Sequence, residues 1–113
     1  MKVKPQTLID YVDPNGNTPI QDWLKDIDTM VSSRIRARLR RVELGNFGDM
    51  KHVGSGVNEF RFNFGSGYRV YFARYGEIIV LLLCAGDKSS QTQDIELAQN
   101  YWADFKRRNN VQN

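Results

Sequence analysis

Eight consecutive apolar residues, Ile78-Ile79-Val80-Leu81-Leu82-Leu83-Cys84-Ala85, constrain this chain more than any other stretch. A run without a polar residue has no face to offer water, so as a strand it must be central and covered on both sides. It is far too short to cross a bilayer, which takes roughly 20 apolar residues in a helix. The N-terminus carries no apolar core of a secretory signal. Cys84 is the only cysteine, which leaves no disulfide framework or cysteine-based zinc site. Together these features point to a cytoplasmic protein with Cys84 as a buried thiol.

The residues before this run alternate. Phe60, Phe62 and Phe64 point one way, and Glu59, Arg61 and Asn63 the other. Gly65-Ser66-Gly67 reads as a three-residue hairpin loop. With Phe64 facing Tyr68, Phe62 falls opposite Val70 and Phe60 opposite Phe72, an aromatic core layer. The opposite face then pairs Asn63 with Arg69 and Arg61 with Tyr71. A one-residue slip would expose the phenylalanines, so parity is well determined. Tyr75-Gly76 turns the apolar run back along Arg69–Arg74. Its exit at Gly86-Asp87-Lys88 therefore returns to the Gly65–Gly67 end and brings Lys88 near Arg69.

Residues 2–12 alternate loosely through Val3, Leu8, Ile9 and Val12 as a first strand, ended by the turn-rich stretch from Asp13 to Asn17. Thr18-Pro19 opens a short helix, with Gln21 in capping-box spacing and Ile20, Trp23, Leu24 and Ile27 on one face. A second helix from about Met30 to Leu44 stops at Gly45 and aligns Val31, Ile35, Leu39 and Val42. Arg34, Arg36, Arg38, Arg40 and Arg41 crowd its remaining surface, as a solvated face, a protein-partner contact or a nucleic-acid backbone contact. A C-terminal helix begins around Ser90, with Ser90 and Gln93 in capping spacing, and buries Ile95, Ala98, Trp102 and Phe105. At 113 residues this predicts one α+β domain over residues 1–113. Its core is a small, mainly antiparallel sheet, preceded by two helices and packed against the C-terminal one.

The net charge of +3 is only a mild bias toward anionic partners, so the distribution of charge matters more. Arg61 and Arg69 share a sheet face, where like charges repel unless an anion or carboxylate stands between them. Glu59 can pair with one arginine, leaving the other for a ligand. Lys88 precedes Ser-Ser-Gln at a strand-to-helix junction that suits a phosphate. Tyr71, on the charged face, can stack on a base. His52 can shuttle protons in RNA cleavage, and its neighbour Lys51 can hold the backbone. The pattern suits a phosphate-rich ligand, RNA. No metal or cofactor is expected, because no second histidine or cysteine cluster completes a site. Gly54-Ser55-Gly56 and Gly65-Ser66-Gly67 match hairpin turns rather than a phosphate-binding loop.

Several fragments recur in a known order. They are Gly-Asp-x-Lys at Gly48–Lys51, Val53-Gly-x-Gly-Val57, Glu59-x-Arg61, Gly67-Tyr-Arg-Val-Tyr71, Gly86-Asp-Lys-Ser-Ser-Gln91, Asp94-Ile95 and Tyr101-Trp102-x-Asp104. Together they resemble the RelE/ParE superfamily toxins of bacterial toxin–antitoxin pairs. The likeness is to the HigB-like or phage-Gp49-like "addiction module killer protein" branch, and it covers nearly the whole chain, most closely residues 45–105. It implies a RelE-like fold and an antitoxin encoded alongside, a helix-turn-helix protein through which alone operator DNA is met. No membrane is involved. For RelE-like members it implies metal-independent endoribonuclease action on mRNA in the ribosome, and so growth arrest. By the same likeness Arg69 falls on the catalytic strand arginine, Arg61 on the arginine two residues past the charged strand position, and Lys88 on the basic position after the strand-exit glycine. Val57 and Glu59 stand where RelE has strand lysines, and Asp94 is nearest to its C-terminal catalytic tyrosine. His52, Glu59 and Asp94 therefore remain candidates for the general base. Two readings stay open beside the nuclease: a ParE-like gyrase poison, and a degenerate toxin that only binds its antitoxin.

Overall fold

The computed structural model describes residues 4–111. Strand β1 (Thr7–Asp10) leads into helices α1 (Pro19–Asp26) and α2 (Thr29–Glu43). Strands β2 (Met50–Gly54), β3 (Val57–Arg61), β4 (Arg69–Tyr75) and β5 (Ile79–Gly86) follow, then a 3₁₀ turn at Lys88–Ser90 and helix α3 (Gln91–Asn109). Val3, expected in the first strand, lies outside the described residues. The strands form one five-stranded sheet in the order β1-β5-β4-β3-β2, with β1 parallel to β5 and the other pairings antiparallel. No helix among the described residues is long and apolar enough to cross a membrane.

The apolar run occupies β5, between β1 and β4, and its residues divide between two cores. Val80 and Leu82 join Phe60, Phe72, Ile20 and Ile35 under α1 and α2. Leu81, Leu83 and Cys84 join Tyr11, Tyr71, Ala98 and Trp102 under α3. Leu83 and Cys84 share a face because the β4–β5 register shifts there: Tyr71 lies opposite Cys84 but Phe72 opposite Leu82. One extra residue is thereby accommodated and the strand locally twisted. A sheet buried on both faces explains why β5 shows no alternation.

The β3–β4 hairpin differs from the expected register. Phe60 pairs with Val70, Glu59 with Tyr71 and Arg61 with Arg69, two residues away from the predicted alignment. The connection is residues 63–67, closed by the Phe62 N–H donating to the Tyr68 carbonyl at 3.0 Å. The longer loop lets Phe64 fold back against Tyr68, with ring centroids 5.5 Å apart. Gly65 and Gly67 supply the left-handed backbone it needs, at φ +57 and +77. A shift of two preserves the parity of every side chain. The aromatic layer survives, with Phe60 stacked on Phe72 at 4.0 Å.

Strand β2 was not expected. Its residues are mostly exposed, and glycines flank it, so alternation is weak. Pairing with β3 through the turn at Ser55-Gly56, both at positive φ, creates it. Neither expected capping box forms. Thr18 and Ser90 sit at the N-caps without a side-chain capping bond. Gln21 instead donates to Asp10 at 3.0 Å. Asp28, by contrast, caps α2 by accepting from the N–H groups of Met30 and Val31.

Helix α3 is tied to the sheet at both ends. Near its C-terminus the Tyr11 hydroxyl donates to Asp104 at 2.6 Å, and Arg107 and Arg108 also donate to that carboxylate. Burial and the Asp104 bond push Tyr11 up to about 12. The Arg108 bond, then the Tyr11 bond, hold Asp104 below the ordinary carboxylate range. A carboxyl depressed in the folded state stabilises it above the unfolded pKa, and that contribution is lost as the pH falls through the folded value. Asp104→Asn is accordingly expected to flatten the fall in stability below about pH 4, by under about 1 kcal/mol because both arginines are exposed; urea midpoints across pH measure this. At the other end Gly86 lies directly beneath the helix start. A methyl there would sit 1.9 Å from Asp94 Oδ2 and 2.8 Å from Ser90 Oγ. Gly86→Ala is expected to displace the Asp94 carboxylate and break its bond from Ser90, at a cost of about 1 kcal/mol in urea unfolding.

Candidate functional site

The register places Arg69 at the middle of three strands, opposite Arg61 on β3 and Gly86 on β5. Its guanidinium does not reach into solvent. Nη1 donates to the carbonyls of Gly67 and Tyr68, each at 3.1 Å, and Nε lies 3.8 Å from Glu59 Oε1. The Arg69 side chain is 11% exposed and Glu59 1%, so the two charges face each other in a largely desolvated layer. Such a pair persists only when both partners stay, since removing one strands the other. Gln91 Nε2, from the first turn of α3, donates to Glu59 Oε1 at 3.0 Å.

Lys88 returns to this end of the sheet. Its N–H bonds to the Ser66 carbonyl at 3.3 Å. A Cβ on Gly67 would lie 3.3 Å from Lys88 Cβ and 3.6 Å from Arg69 Nη1. The lysine and the arginine thus flank one glycine at the hairpin tip, with Lys88 exposed. Above them Ser90 Oγ donates to Asp94 Oδ2 at 2.5 Å. Asp94 also accepts, at its backbone carbonyl, from Cys84 Sγ at 3.6 Å. Burial, then the Asp94 charge, push the buried Cys84 thiol up to about 12. Arg69, Glu59, Lys88 and Asp94 are therefore neighbours around the start of α3. Chemically, the arrangement offers two cations to an anion at the hairpin tip and two carboxylates behind them.

Other expected site residues are placed differently. Tyr71, expected to stack on a base, is fully buried beneath α3. The helix that covers this face shields it from any ligand. Burial, followed by the Glu59 and Asp94 charges, raises its pKa strongly. Its hydroxyl and Arg69 Nε are both buried without a hydrogen-bond partner among the described residues. Arg61 pairs with Arg69 along the backbone, but its side chain turns to Asp49. Nη2 and Nε donate to Asp49 Oδ1 at 2.8 and 3.3 Å. That bond, above other causes, lowers the Asp49 pKa and raises that of Arg61. The carboxylate beside Arg61 is thus Asp49, not Glu59, which belongs to Arg69.

On β2, Lys51 pairs with Glu59 and shares its sheet face. His52 pairs with Asn58 and so points to the opposite face, exposed at the sheet edge. That separates His52 from the Arg69 cluster and leaves Glu59 and Asp94 as the carboxylates near it. Asp49, Gln91 and Ser90 were not singled out from the sequence as site residues. Gln91 and Ser90 stand in the Gly86–Gln91 run, and Asp49 in the Gly48–Lys51 fragment, so proximity to those fragments was the available signal. Among the described residues no three His, Cys, Asp or Glu side chains gather as a metal site would require.

Two comparisons bear on this geometry. The family model described as "Phage derived protein Gp49-like" matches residues 22–103, which takes in every residue of the Arg69 cluster. An uncharacterized protein of Haemophilus influenzae is 44% identical over 78 residues, spanning 68% of this chain and 79% of that protein. The matched family segment runs from α1 into α3 and contains all four strands of the antiparallel part of the sheet. The chain belongs to the Gp49-like family of phage-derived proteins.

Proposed function

We propose that this protein is the toxin of a type II toxin–antitoxin pair of the HigB-like, RelE-related kind, and that it arrests growth in the cytoplasm by cleaving mRNA on the ribosome. The observation that carries the reading is the approach of Arg69 and Lys88 to either side of Gly67, at the tip of the hairpin, with Glu59 and Asp94 behind. Membership in the Gp49-like family, addiction-module proteins of toxin type, supports it.

In this reading the strand's 2′-oxygen attacks the neighbouring phosphorus. A P–O2′ bond forms, the P–O5′ bond breaks, and a 2′,3′-cyclic phosphate remains. The 2′-hydroxyl proton passes to the Asp94 carboxylate, and the departing 5′-oxygen takes a proton from water. Glu59, 1% exposed and bonded to Gln91, holds Arg69 instead of acting as the base. Arg69 and Lys88 stabilise the charge that builds on the phosphoryl oxygens. Lys51, on the same sheet face, holds backbone. The partner is a helix-turn-helix antitoxin encoded beside the toxin, which brings the pair to operator DNA.

A second reading draws on a different observation. Arg69 is 11% exposed and its guanidinium is already bonded to two carbonyls. That degree of engagement suits a chain that acts by binding alone, as a gyrase poison or a silent antitoxin partner. The two readings separate cleanly. Lys88→Ala, at an exposed position, is expected to abolish growth arrest while antitoxin binding persists, with mRNA cleavage falling about 10²–10³-fold. Primer-extension mapping of messages from cell-free translation measures the cleavage. Unchanged toxicity in that variant, or loss of DNA supercoiling without RNA cleavage, overturns the nuclease.

A further inference from the structure

A second basic site lies on the far flank of the same hairpin. A cleft of about 230 Å³ opens between α2 and the end of β3, lined by Arg34, Arg38, Arg41 and Arg61 with Asp49 as its one carboxylate. Four guanidiniums face a single negative charge. Two of them are fixed as walls. Arg38 donates to the carbonyls of Arg61, Phe47 and Asp49 and lies over the Phe62 ring at 4.6 Å. Arg61 is held by Asp49. Arg34 rests on the face of Phe64 at 3.7 Å. Neither the Arg34 nor the Arg41 guanidinium makes a hydrogen bond or ion pair among the described residues. Burial lowers the Arg38 pKa, and the Asp49 carboxylate opposes that shift more strongly than Arg41 adds to it.

The geometry points to a phosphodiester site: we propose that this cleft takes a backbone phosphate of the RNA strand whose scissile segment lies at Arg69 and Lys88. The identity of the strand rests on the RNA reading above, whereas the anion site rests on the cleft itself. Guanidinium forks held in fixed planes match phosphate oxygens two at a time, and little rotamer freedom is lost on binding. Position selects a repeating polyanion over an isolated carboxylate. The cleft is lined by Phe62, Asn63 and Phe64, and Arg69 and Lys88 are bonded to Gly67, Tyr68 and Ser66 of the same connection. A strand crossing this loop meets cations on both sides of it. A nucleic acid has a charge at every step to meet them.

Arg34 and Arg41 are exposed, so replacing them leaves the fold within about 0.5 kcal/mol of the parent. The probe is a short single-stranded 2′-O-methyl RNA of uniform sequence, which cannot be cleaved, titrated at several salt concentrations. In the Arg34→Gln/Arg41→Gln variant the slope of log affinity against log salt is expected to shrink by about 0.7 for each phosphate the cleft no longer neutralises. Mapped cleavage positions in messages should stay where they are. Arg41→Lys restores part of the slope and less of the affinity, because an ammonium keeps the charge without the fork. A parent slope retained in full by the double variant overturns the cleft while the nuclease stands. Absence of mRNA cleavage alongside a reduced slope overturns the nuclease while the cleft stands. RNA that does not bind, with an acidic peptide binding in an Arg41-dependent way instead, overturns the phosphate assignment.

Discussion

Covering the sheet on both faces is the condition from which the other features follow. Once α3 lies on the face opposite α1 and α2, Glu59, Arg69 and Tyr71 on that side lose most of their water. Leaving a carboxylate desolvated and unpaired is prohibitive, so Glu59 must have a cation within reach. Strand pairing provides it: β4 aligns Arg69 two residue pairs along from the Glu59–Tyr71 pair, and the guanidinium leans back to 3.8 Å from the carboxylate. Gln91 completes the hydrogen bonding from above. The charged layer and the position of α3 are thus mutually dependent. Gly86 is part of the same arrangement, because only a residue without a side chain lets Ser90 and Asp94 sit so close to β5.

The hairpin between β3 and β4 distributes charge in a way that the fold alone does not require. Its core role is carried by Phe60, Phe62 and Phe72, which pack under α1 and α2. Its cations could have been dispersed without harm to that packing. Instead Arg61 and the α2 arginines lie to one side of the loop, and Arg69 and Lys88 to the other. Asp49 offsets one and Glu59 another. The remaining positive charge is concentrated where backbone carbonyls and aromatic faces hold the guanidiniums in place. Pre-positioned cations of this kind cost little further entropy when an anion arrives.

Much of this was legible in the chain. The unbroken apolar run of β5 could belong only to a strand covered twice, and the Phe/charged alternation set which side each residue of β3 faces. Parity is a property of the strand itself, so it survived a two-residue change in register. Register is a property of the loop, and there the glycines misled: Gly65-Ser66-Gly67 resembles a tight turn, whereas Phe64 and Tyr68 are better packed against each other within a longer one. Strand β2 escaped notice because an exposed edge strand needs no internal pattern, only a partner. The partner of Arg61 was equally hidden. Glu59 is nearer in sequence, but the β2–β3 turn and the backbone bond from Arg61 N–H to the Asp49 carbonyl bring a different carboxylate to it.

The two donors without acceptors, Arg69 Nε and Tyr71 hydroxyl, mark where these demands conflict. Each buried unpaired polar group costs about 1–3 kcal/mol, and a chain selected for stability alone would remove them, for example with phenylalanine at position 71. Both lie on β4, two positions apart on one face, next to the Glu59 and Asp94 charges that raise the Tyr71 pKa. Strand β4 is paired on both edges, so neither donor can move to a better partner without breaking the pairing that builds the core. On this face the cost is therefore confined to the Arg69 layer, and the other buried unpaired atom among the described residues is Asn58 Oδ1, on the opposite face of β3. A layer kept polar, desolvated and incompletely bonded by its own scaffold carries a cost in stability that the packing of the core does not require.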